Sequence, residues 1–86
     1  MMAKVVMYST AVCPYCIRAE QFLHGKNITE IKKIRVDLQP ELRVEMMEKT
    51  GRRTVPQIYI NGRHIGGYDD LVALDRAGEL DQLLAT

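Results

Sequence analysis

Cys13-Pro14 stands a few residues beyond an apolar run of strand length, Val5-Val6-Met7-Tyr8, and that placement limits the chain to architectures in which a strand feeds directly into a helix. Beyond the proline, Ile17, Ala19, Phe22 and Leu23 share a broad helical face, and Gly25 supplies a stop. Residues 32–38 then alternate, with Ile34, Val36 and Leu38 on one side and Lys33, Arg35 and Asp37 on the other, which predicts a half-buried strand. Pro40 opens a second helical pattern through Leu42, Met46 and Met47, closed by Gly51. The run Gln57-Ile58-Tyr59-Ile60, the turn Asn61-Gly62 and the return Arg63-His64-Ile65 read as a β-hairpin. Asp69 or Asp70 can cap a third helix through Leu71, Leu74 and Ala77, and Gly78 separates a last short helix carrying Leu80, Leu83 and Leu84. The order β-α-β-α-β-β-α, with a short C-terminal helix, predicts an α/β fold: a four-stranded mixed sheet with helices on its faces.

A chain of 86 residues suffices for one compact domain, expected to span residues 1–86, and no repeat, linker or low-complexity stretch interrupts it. Twelve basic against eleven acidic residues give a formal charge of +1, too balanced for nucleic acid or an anionic membrane to be the main partner. The opening run from Met1 to Tyr8 is shorter than a signal-peptide core or a spanning helix, so a cytoplasmic location is the expectation.

Chemistry centres on Cys13-Pro14-Tyr15-Cys16. As a staple the pair would close too short a loop to restrict the unfolded chain much, and a reactive pair suits a reducing compartment better. C-x-x-C alone is weak evidence, since half a zinc site has the same spacing; His24 and His64 are the remaining nitrogen donors and do not form a second ligand pair. Helix-end and hairpin positions account for both histidines, and no metal is expected. A cysteine at a helix start gains from unpaired backbone N–H groups and the positive end of the helix dipole, which favour the thiolate that disulfide exchange requires. Pro14 sets that helix start and Arg18 adds positive charge one turn on, so Cys13 is the expected nucleophile and Cys16 the resolving thiol.

Three segments together, Cys13-Pro14-Tyr15-Cys16, Thr54-Val55-Pro56-Gln57 and Gly66-Gly67-Tyr68-Asp69-Asp70-Leu71, resemble in order and spacing the signatures of dithiol glutaredoxins, most nearly the small bacterial glutaredoxin 3 type. The resemblance covers essentially the whole chain. It implies a thioredoxin-like fold with helices on both faces of the sheet, no permanently bound cofactor, and glutathione as the electron-donating cosubstrate. It implies a cis bond before Pro56 that exposes the Val55 backbone beside Cys13, where the cysteine residue of glutathione can pair as a short strand; on residues alone, Val55-Pro56 opening a strand reads equally well. Gly67, Tyr68, Asp69 and Asp70 then form a clamp for the γ-glutamyl zwitterion, although an ordinary helix cap explains the aspartates without a ligand. Tyr15 and Thr54 complete the implied contacts. Arg43, Arg52 and Arg53 are the cations available for the glycine carboxylate, and Arg43 and Arg53 fall where the family places such contacts.

Two positions depart from the pattern: Thr10 replaces a lysine that many relatives carry before the first cysteine, and Tyr68 stands where some relatives have a third cysteine. Implied partners are glutathionylated or disulfide-containing proteins, ribonucleotide reductase among the candidates, served by a monomer. Two alternatives compete. One is a cluster-bridged dimer with glutathione as co-ligand, which Pro14 disfavours. The other is a thioredoxin-like reductase, against which the absence of tryptophan before Cys13 argues.

Overall fold

The computed structural model describes residues 3–85; Met1 and Met2 of the opening run, and Thr86, lie outside the described residues. The elements are β1 (Val5–Ser9), α1 (Pro14–Gly25), β2 (Ile31–Arg35), α2 (Pro40–Thr50), β3 (Gln57–Ile60), β4 (Arg63–Gly66), α3 (Tyr68–Arg76) and α4 (Leu80–Leu84). They build one sheet in the order β2-β1-β3-β4, with β1 parallel to β2 and antiparallel to β3, and β4 antiparallel to β3. Asn61 and Gly62 both hold positive φ, 52° and 83°, the requirement of a two-residue type I′ turn. Between Ile58 and Tyr59 the ladder shifts, so that Ile58 faces Gly66 and Tyr59 faces His64, and Ile65 is the extra residue of a bulge.

Alternation on β1 and β3 sends side chains to both faces of the sheet. Val5, Met7, Ile58 and Ile60 pack with Ala19 and Leu23 of α1, Leu71 of α3, and Leu80 and Leu84 of α4. On the opposite face Tyr8 and Val36 pack on Met46 of α2, with Ile34, Leu42, Val55 and Tyr59 around them. Helices therefore cover both faces of a thioredoxin-like sheet. Burying each large aliphatic side chain here contributes about 1.5–3 kcal/mol.

Four sequence expectations change. The second strand ends at Arg35 rather than Leu38, because Arg35 and Asp37 pair side chain to side chain at 2.6–2.7 Å and the backbone turns, leaving Leu38 68% exposed. The Arg35 hydrogen bonds hold the Asp37 carboxyl down at about 2. A carboxyl lowered in the fold stabilises it above the ordinary carboxylate pKa, and that contribution is lost as pH falls toward the lowered value. In α1 the buried stripe is Cys16, Ala19 and Leu23 while Ile17 faces solvent, and in α2 Met47 is exposed beside fully buried Met46. In α3 the N-cap is Gly67, and Asp70 sits three residues inside the cap.

Candidate active site

Cys13 is the N-cap residue of α1, with extended backbone (φ −149°, ψ 98°), because Pro14 has no N–H to lose at the first helical position. Its Sγ accepts the Cys16 backbone N–H at 3.2 Å, the hydrogen bond that a capping oxygen would make. An amide donor aimed at sulfur, added to the helix terminus, favours the anionic form of that sulfur once the pair is reduced. Cys13 and Cys16 are joined as a disulfide with Cα atoms 5.2 Å apart, Cys13 being 8% and Cys16 4% exposed. Arg18 places its guanidinium 5.2 Å from the centre of the Tyr15 ring.

The second wall is the loop from Gly51 to Pro56, and three side chains pin it. Gly51 takes the left-handed conformation (φ 71°) that ends α2, and Thr50 Oγ1 donates to the Met46 carbonyl while accepting the Arg52 N–H at 3.0 Å. Arg43 Nη1 donates to the Arg53 carbonyl at 3.1 Å, and Gln57 Nε2 to the Thr54 carbonyl at 3.0 Å. The Val55-Pro56 bond is cis, and the Val55 carbonyl oxygen lies 3.8 Å from Cys13 Sγ.

The third wall is the start of α3. Asp70 Oδ2 accepts the Gly67 N–H at 2.9 Å and the Arg52 guanidinium at 2.7 Å. The Arg52 hydrogen bond, followed by the Gly67 N–H, lowers the Asp70 pKa and keeps it ionised. Gly66 has φ 118°, and a Cβ there would overlap the Asp70 carboxylate. Gly66→Ala is therefore expected to cost about 1–3 kcal/mol of unfolding free energy; a urea denaturation midpoint equal to wild type would contradict this.

The three walls meet in a cleft of about 210 Å³, lined by Tyr15 and Tyr68, the Thr54-Val55-Pro56 loop, Gly67, Asp69 and Asp70, and Arg52. Tyr68 leans on Tyr15 with ring centroids 6.2 Å apart, and Phe22 braces it edge-on at 6.4 Å. Of the three arginines weighed from sequence, Arg52 lines the cleft, whereas Arg43 is turned to the loop backbone and neither it nor Arg53 is in the lining. Sequence spacing could not separate neighbouring arginines; the turn at Gly51 and the Thr50 hydrogen bond select among them. Asp37 was likewise missed: its Oδ2 accepts the Ala11 N–H at 3.3 Å and ties down the loop leading to Cys13. Among the described residues no group of three or more His, Cys, Asp or Glu has metal-holding geometry, and no helix is long and apolar enough to cross a membrane.

Comparison with known proteins agrees with this geometry. The family model described as glutaredoxin matches residues 5–65. The chain is 55% identical over 84 residues to a glutaredoxin of Pseudomonas aeruginosa, covering 98% of this chain and 99% of that one. It is 47% identical over 83 residues to glutaredoxin 3 of Escherichia coli K12, covering 96% and 99%. The crystal structure of a buckwheat glutaredoxin-glutathione complex superposes with a TM-score of 0.84 at 30% identity, over 96% of this chain and 77% of that one.

Proposed function

The chain belongs to the glutaredoxin family and its cysteine pair makes it a thiol-disulfide oxidoreductase; from that premise we propose that it draws electrons from glutathione to reduce protein-glutathione mixed disulfides and protein disulfides, in the cytoplasm. The observation that carries the proposal is the cleft lined by the Val55 backbone, Asp70 and Arg52, next to Cys13, whose Sγ lies 3.8 Å from the Val55 carbonyl oxygen. Such a cleft suits a short zwitterionic peptide. Its cysteine residue can pair with Val55 as an added strand, Asp69 and Asp70 attract its ammonium, and the α3 N-terminus and Arg52 attract its carboxylates. The solved complex of the buckwheat relative with glutathione supports the same ligand.

In the proposed cycle the Cys13 thiolate attacks the glutathione sulfur of a mixed disulfide, forming a bond to glutathione and releasing the protein thiolate. A second glutathione thiolate attacks that adduct, leaves as glutathione disulfide and restores the Cys13 thiolate. With a protein disulfide, Cys13 attacks one sulfur and Cys16 displaces the protein, leaving the Cys13-Cys16 disulfide, which two glutathiones then reduce. Each route moves two electrons. Ribonucleotide reductase and glutathionylated proteins are candidate substrates.

Asp70→Asn tests the ligand assignment, because an amide oxygen can still accept the Gly67 N–H while the negative charge is gone. KM for a glutathionylated peptide is expected to rise about tenfold, with less than about twofold change for a small disulfide lacking glutathione. Equal changes for both substrates would contradict glutathione as the occupant of the cleft.

A further inference from the structure

Gln57 is fully buried at the start of β3, so both ends of its amide need partners. Its Nε2 donates to the Thr54 carbonyl at 3.0 Å, and its Oε1 faces His64 Nε2 at 2.8 Å. An amide oxygen carries no hydrogen, which fixes Nε2–H as the donor tautomer of His64. His64 is held on β4 with its ring against Tyr59, centroids 5.2 Å apart. Burial and the Arg52 guanidinium push the imidazole pKa down while Asp70 opposes them, so the ring is neutral at pH 7. Nothing in the exchange chemistry uses either residue.

The Thr54 carbonyl and the Val55 N–H belong to one planar peptide unit, so the direction of the first sets the direction of the second. We propose that His64 is a positioning residue: acting through Gln57, it fixes the Thr54-Val55 peptide plane and thereby aims the Val55 N–H at the backbone of the bound peptide. The proposal rests on the reading of the cleft as the seat of glutathione. His64 is not in the lining of the cleft; it reaches the loop through Gln57, whose hydrogen bonds to His64 at 2.8 Å and to the Thr54 carbonyl at 3.0 Å, with a longer one to Thr54 Oγ1 at 3.4 Å, join the hairpin to the loop beside Cys13. A loop aimed in advance binds its ligand without first ordering itself.

The test compares His64→Phe, which keeps a ring against Tyr59 without the donor, with His64→Gln, whose amide nitrogen can replace Nε2–H. With a glutathionylated peptide as varied substrate, the Phe variant is expected to raise KM about fivefold with kcat and the alkylation rate of reduced Cys13 within about twofold of wild type, and the Gln variant to return KM to within about twofold. A wild-type KM in the Phe variant, or a Gln variant no better than Phe, would overturn the positioning role. Wild type is also assayed on the same peptide carrying a mercaptoethanol mixed disulfide. Lack of preference for the glutathione form would overturn the glutathione reading and this proposal together, whereas a retained preference with an unaffected Phe variant would overturn this proposal alone. Should the Phe variant not fold, ¹⁵N chemical shifts of wild-type His64 decide: a protonated Nε2 is expected, and a protonated Nδ1 with bare Nε2 would overturn the relay.

Discussion

Cys13→Ser is expected to reduce turnover of glutathionylated peptides and of protein disulfides alike by at least about a thousandfold, because a serine hydroxyl does not ionise near neutral pH and cannot form the mixed disulfide. The loss follows from the site's construction. Cys13 alone occupies the α1 N-cap, with the Cys16 N–H at its sulfur and the Val55 backbone alongside, while Cys16 lies inside the first helical turn and is the less exposed of the two, 4% against 8%. A coupled assay on the purified variant measures the effect. Residual activity above a few per cent of wild type would show that Cys16 can initiate exchange, against the assignment of roles.

Cys16→Ser is expected to separate the two reactions. Glutathione in solution can resolve the adduct on Cys13, so deglutathionylation is retained within about threefold, whereas reduction of a protein disulfide falls at least about a hundredfold for want of an internal thiol. A mixed disulfide between Cys13 and the substrate protein accumulates and is visible by intact mass. Both reactions are measured on one preparation. Loss of deglutathionylation alongside disulfide reduction, with Cys13 still open to alkylation, would mean that Cys16 takes part in every cycle.

Both variants probe a site much of which local sequence chemistry already specifies. Pro14 fixes the start of α1 and thereby makes Cys13 its cap; Asn61-Gly62 makes the tight turn that pairs β4 with β3. These features depend on neighbours in the chain, which is why they are legible without a structure. What stayed illegible depends on distant partners. The alternation through Leu38 looked like strand, yet Arg35 is held in a pair with Asp37 that turns the backbone, and the same aspartate anchors Ala11 near the reactive cysteine. Arg43, Arg52 and Arg53 are chemically alike in sequence, and only the αL turn at Gly51 together with the pairing to Asp70 singles out Arg52. Gln57 and His64 read as strand residues of a hairpin; their mutual hydrogen bond exists because the bulge at Ile65 sets the two strands in the observed register.

The most direct test of the account supplies electrons to the same wild-type protein from two sources. Glutathione with glutathione reductase and a thioredoxin reductase are compared at matched NADPH, with a glutathionylated peptide as substrate. Turnover is expected with glutathione and only background with thioredoxin reductase, since the proposed occupant of the cleft beside Cys13 is a short zwitterionic peptide. Efficient turnover from thioredoxin reductase, with glutathione inert, would contradict the account at its centre.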